Sequence, residues 1–151
     1  MSSVAVRTKI KQYLTNEFPS EKQSDLSGGF FDIYTHLAEG GIQTNGPWLG
    51  LQFLGGDEVP VTVGSNGTKG KYREDGAVYI HVVDIASPSA RDSILGRAEA
   101  LRSKFRGRRI DEDILIQSVT PPSFEAGATI DFEAGYISAS FIIEYSYDLN
   151  L

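Results

Sequence analysis

The stretch KYREDGAVYIHVVDIASPSARDSILGRAEALRSKFRG, Lys71 to Gly107, decides the fold. Within it, Ala77 to Ile85 is rich in β-branched and aromatic residues and carries apolar side chains on both alternating faces, the pattern of a strand covered on two sides. The period changes at Ser87-Pro88. Ser87 can cap a helix, Pro88 suits the first helical position, and Ile94, Ala98, Leu101 and Phe105 then recur at helical spacing until Gly107. A central strand therefore feeds a helix, at about residues 88–106, that packs back on the sheet.

Working outward toward the N-terminus, Val4 to Phe18 places Val6, Ile10, Tyr13 or Leu14, and Phe18 on one side of an amphipathic helix that stops at Pro19. Ser20 to Ser27 is a polar linker. Phe30 to Leu37 fits either a strand or a short helix, and Gly40-Gly41 and Asn45-Gly46-Pro47 bracket a loop. Trp48 to Leu54 is a strand, Gly55-Gly56-Asp57 a hairpin turn and Val59 to Val63 the partner strand, with Pro60 marking an edge or a bulge. Gly64 to Lys71 holds no apolar residue, cannot offset its ordering entropy by burial and projects from the body.

Toward the C-terminus, Arg102, Lys104, Arg106, Arg108 and Arg109 cluster at the end of the helix, where positive charge suits the macrodipole, and Asp111, Glu112 and Asp113 follow. Ile114 to Val119 is a strand. Ser123 to Phe132 is a polar connection or weak strand, and from Ile137 to Tyr147 apolar and mainly polar residues alternate in the clearest strand of the chain. The expected fold is one α+β domain over residues 1–151. A mainly antiparallel or mixed β-sheet is flanked by an N-terminal and a central helix, and a hairpin or loop projects from it.

Composition agrees with one globular domain: 151 residues, 40% hydrophobic and 23% charged, with 16 glycines for tight turns. The absence of cysteine excludes disulfides and thiolate chemistry. No apolar run reaches the roughly eighteen residues of a membrane span, and the N-terminus lacks a signal-peptide core, so synthesis in a cytoplasm and no membrane partner are expected. A net charge of −6 argues against wrapping nucleic acid through its phosphates, yet suits a surface past which DNA must slide.

Chemical motifs are weak. Gly64, Gly67 and Gly70 before Lys71 do not have phosphate-loop spacing, since Ser65 stands where the first glycine is needed and Tyr72 follows the lysine. His36 and His81 lack the local carboxylates of a zinc motif, and no G-x-S-x-G elbow occurs. Asp111-Glu112-Asp113 could hold a hard cation, but neutralisation by the basic residues just upstream is the simpler account. No catalytic residue, cofactor or metal site is expected.

Several strings together resemble the tail terminator proteins of long-tailed bacteriophages: the N-terminal amphipathic helix, Pro47-Trp48-Leu49, Tyr72-Arg73-Glu74-Asp75-Gly76, AVYIHVV at 77–83, SPSARDSILGRAEALRSKF at 87–105 and FIIEYSYDL at 141–149. The resemblance spans most of the chain but carries no role onto Ser20 to Asn45. It implies a non-enzymatic virion protein that forms a hexameric ring on the last ring of tail tube protein, stops polymerisation and presents a surface to the head-tail connector, while DNA passes through the lumen. Another phage neck or head-completion protein of related fold is the alternative, and a small ligand-binding or enzymatic α+β domain a more distant one. Interface candidates are Lys69, Lys71 and Arg73 with Glu74 on the projecting hairpin, and Arg102, Arg106, Arg108 and Arg109 meeting Asp111, Glu112 and Asp113 within one subunit or across neighbours.

Overall fold

The computed structural model describes residues 3–25, 47–54, 56–60, 71–85, 87–124 and 136–150. The ambiguous segment at 30–37, the loop expected at 40–46, most of the loop expected to project at 64–71 and most of the connection expected at 123–132 lie outside these residues. Among those described, the elements in chain order are α1 (Val4–Glu17), β1 (Lys22–Asp25), β2 (Trp48–Phe53), β3 (Asp57–Pro60), β4 (Lys71–Ile85), α2 (Ala90–Phe105), β5 (Arg109–Ile110), β6 (Ile114–Val119) and β7 (Tyr136–Asn150). The fold is α+β, as expected, with two helices and a seven-stranded sheet among the described residues.

β4 and β7, 15 residues each, pair antiparallel along their whole length from Lys71↔Asn150 to Ile85↔Tyr136 and form the spine of the sheet. Around them the strand order is β1-β2-β4-β7-β6-β5, with β3 also paired to β4. All pairings are antiparallel except the parallel β1–β2 edge. β1 replaces the polar linker expected at 20–27. Its sequence, KQSD, has no strand period, so the pairing with β2 rather than local propensity makes it a strand.

Directly opposed residues share a face, so the registers sort the side chains. Leu49–Val82–Ala139, Leu51–Ile80–Phe141 and Phe53–Val78–Ile143 form three rows on one face. Val6, Ile10 and Leu14 of α1 join these rows in one core, as do Ala90, Ile94, Ala98, Leu101 and Phe105 of α2. Those are the helical periods visible in the sequence. On the other face of β4, His81 and Val83 are also at 0% exposure, whereas Tyr79 and Ala77 are half-buried, so the strand is covered on both sides over its second half.

The helix ends have local causes. Ser3 caps α1, its hydroxyl accepting from the Val6 N–H at 3.4 Å, and Pro19 follows the C-cap Phe18. α2 begins two residues later than Pro88 suggested, because the Ala90 N–H bonds the Ser87 carbonyl in a turn and Ser89 occupies the cap position without a side-chain bond. It ends where expected, at Gly107, whose φ of +66° supplies the left-handed residue after the C-cap Arg106.

The expected hairpin of β2 with β3 about Gly55-Gly56-Asp57 does not form: both strands pair with β4 instead, and Gly55 itself lies outside the described residues. β2 and β3 run in the same direction along one edge of β4: Phe53 pairs with Val78 and Asp57 with Asp75, so the β2–β3 side carries one extra residue over this step, a β-bulge. Glycine is needed there for close approach, since a Cβ on Gly56 would lie 2.3 Å from the Asp75 carbonyl oxygen. The antiparallel partners that follow each other in the chain here are therefore β3 and β4, not β2 and β3. Beyond the reach of β6, residues 71–73 of β4 have β3 and the end of β7 as their strand neighbours among the described residues, a three-stranded arm.

Candidate interaction surface

Two charged regions singled out in the sequence take opposite places in the fold. In the arm, Arg73 stands directly opposite Asp148, and its Nε donates to Oδ1 at 2.9 Å, a bond that raises the guanidinium's pKa above its ordinary value. Its acidic partner is thus in its own chain. Glu74 corrects the expectation of an interface residue, because it is 4% exposed and faces the core. Its Oε1 accepts from the Ser3 N–H at 2.9 Å and the Tyr145 hydroxyl at 3.1 Å, tying the start of α1 to the spine. The tyrosine ring reaches Glu74 over Gly76, where a Cβ would lie 2.6 Å from its oxygen. Lys71 opens β4 opposite Asn150, and Lys69 lies outside the described residues.

At the other edge, Arg102 is held internally, with Nη1 3.5 Å from Glu99 and Nη2 donating to the Val119 carbonyl at 3.4 Å. Lys104 pairs with Glu17 of α1 at 3.4 Å. Arg106, Arg108 and Arg109 are exposed and make no ion pair among the described residues. Nor do they neutralise the acidic turn. Asp111 and Asp113 are held by Lys9 of α1, at 3.4 and 2.6 Å, and these carboxylates raise the lysine's pKa, the Asp113 bond foremost. Glu112 is exposed at the tip, and Asp111 and Glu112 both have positive φ, 53° and 62°, as the three-residue link between Ile110 and Ile114 requires. Lys9 was missed in the sequence, where it is one cation on a polar helix face, about a hundred residues from its partners.

Between α1 and this turn lies an open depression of about 200 Å³, lined by Lys9, Gln12, Tyr13, Asn16, Ile110 and Asp111. Tyr13 is fixed by donation to the Lys104 carbonyl at 2.5 Å and by an edge-on contact with Phe105 at 5.2 Å. Desolvation raises its pKa, Glu17 adds to that and Arg108 opposes it, so Arg108 projects beside the depression. The means this surface offers are ionic, hydrogen-bonding and shape contacts.

His81 and Ser140 approach the spacing of a nucleophile and its base, Nδ1 to Oγ 2.6 Å, but they are 0% and 3% exposed and the third partner is Gln52, its Oε1 3.2 Å from Nε2. The amide oxygen accepts from Nε2–H, which leaves Nδ1 to accept the serine proton, a satisfied linkage across the buried face. Burial pushes the His81 pKa down to about 4. Among the described residues no group of three His, Cys, Asp or Glu side chains could hold a metal, and no helix is long and apolar enough to cross a membrane. Compared with family models and with curated proteins, the chain matches none.

Proposed function

We propose that the chain is a structural assembly protein, a tail terminator that forms a hexameric ring at the head-proximal end of a phage tail tube. The ring stops tube polymerisation and offers the surface on which the head-tail connector seats, while DNA passes through the lumen. The sequence resemblance motivates this reading. The observation that carries it is the open basic edge: Arg106, Arg108 and Arg109 stand exposed with no ion pair among the described residues, and Arg108 acts on Tyr13, which lines the depression together with Ile110. Unpaired charge gathered at a sheet edge suits recognition of a charged protein surface. The described residues around the 15-pair spine read as a frame that holds that edge in place.

On this reading the basic edge contacts protein and not DNA. Six copies of a chain at −6 bring about −36 to the ring, and screening over about 10 Å leaves the lumen-facing share to act on the duplex. Arginines there would bind the phosphates that must slide by.

Particles assembled without this protein test the reading. They should carry tails of abnormal length that fail to join heads. Normal joined particles would overturn it. Tails of normal length with unjoined heads would instead place the protein on the head side of the neck, as a completion protein of related fold.

A further inference from the structure

The registers of four strand pairs place Asp57, Asp75, Ser146, Leu115 and Arg109 in one row across the sheet. The row starts with a carboxylate at one edge and ends with a guanidinium at the other, four strand spacings or about 19 Å away. At the acidic end, Asp57, Glu58, Val59 and Pro60 are all exposed, and β3 has no strand on its outer side among the described residues. Neither Asp57 nor Glu58 makes an ion pair there. At the basic end, β5 is the last strand of the sheet among the described residues.

The exposed large apolar side chains among the described residues, Val4 at 78% and Val59 at 46%, both lie toward the acidic end. Val59 follows Glu58, and Val4 follows Ser3, which is bonded to Glu74, the register partner of Glu58.

Opposite edges of one rigid sheet cannot meet within the chain. They can meet between copies, and because the two edges differ, the contact is heterologous and generates a ring if its rotation closes. We propose that a second copy of this chain docks its Arg106, Arg108 and Arg109 edge against the Asp57 and Glu58 edge of the first. This assignment rests on the ring reading above and names the faces that meet. Val59 and Pro60 supply apolar area at the contact, where exposed ion pairs contribute little each. Charge fixes the direction, since like edges repel and only head-to-tail pairing brings unlike edges together.

Two reversed chains test it. Arg108→Glu with Arg109→Glu makes both edges acidic, and Asp57→Lys with Glu58→Lys makes both basic. Each should keep the wild-type melting curve yet sediment as single chains, alone or with tube protein, under conditions where the wild type forms rings. A 1:1 mixture should restore the wild-type size, because alternating copies again present unlike edges. Either variant assembling alone, or a mixture that stays dissociated, would overturn the proposal.

Where the free wild type is itself a single chain, a thiol trap decides. The chain has no cysteine, and a separation of about 19 Å forbids a bond within one copy of Asp57→Cys/Arg109→Cys, because bonded cysteines have Cα atoms within about 7 Å. Mild oxidation should give a ladder beyond dimers, with each single-cysteine variant limited to dimers. No ladder would overturn the contact. Wild-type rings with neither rescue nor ladder would leave the ring reading standing and remove these faces from it; a ladder without any ring on tube protein would do the reverse.

Discussion

Arg73-Glu74 and Arg108-Arg109 look alike in the sequence, each a charged pair beside an apolar strand, and the fold treats them in opposite ways. Arg73 faces Asp148 across the spine, and Glu74 is sealed under Tyr145 and the start of α1. Arg108 and Arg109 end the sheet, with exposed side chains and no ion pair among the described residues. Strand position makes the difference. A residue on a spine strand has neighbours on both sides and can complete its bonds internally, whereas a residue on the last strand has one side left for another molecule. Charge in the middle of this sheet therefore holds the fold, and charge at its rim is left exposed.

The interior side of that contrast breaks most visibly with pH. His81 titrates near 6.5 when unfolded and near 4 when folded, so between these values the unfolded chain binds more protons and stability falls as pH falls. The contribution should be complete above about pH 6.5 and lost by about pH 4, for a total of about 3 kcal/mol. Denaturation midpoints across that range measure it, and His81→Gln should flatten the slope.

Truncating the buried carboxylate comes next. Glu74→Ala leaves the Ser3 N–H and the Tyr145 hydroxyl without their acceptor and should cost about 2–3 kcal/mol. Glu74→Gln keeps an acceptor and should recover more than half of that in urea titrations. A loss below about 0.5 kcal/mol for Glu74→Ala, the range of an ordinary surface change, would put Glu74 in the same class as the rim.

The smallest effect on stability belongs to the rim itself. Arg108→Glu with Arg109→Glu should shift unfolding by no more than about 0.5 kcal/mol, because no internal ion pair is lost. A cost several times larger would show that these arginines hold the fold and would erase the contrast.

Much of the frame was legible in the sequence because its elements have a period. The helical spacing of Ile94, Ala98, Leu101 and Phe105 and the alternation from Ile137 to Tyr147 are both fixed by which side chains the core takes. β1 was not legible, because KQSD becomes a strand only through its partner. The bulge at Gly56 was misread for a related reason: paired glycines mark a turn and a close backbone approach equally well, and only the neighbouring Asp75 carbonyl separates the two. The site was half legible. The basic cluster is plain as composition, but which arginines are already held depends on partners far off in sequence or across elements, such as Val119 for Arg102 and Asp148, 75 residues on, for Arg73. The acidic edge at Asp57 and Glu58 had only Pro60 to announce it, a residue that favours edge strands.

A reconstruction of the assembled ring on its tail tube tests the central claim most directly. It should show six copies arranged head to tail, with Asp57 and Glu58 of each within about 4 Å, the reach of an ion pair, of Arg106, Arg108 or Arg109 of the next. Glu74 should remain buried beneath Tyr145. A ring whose arginines line the lumen against DNA, or whose β3 edges stand unopposed in solvent, would contradict the account.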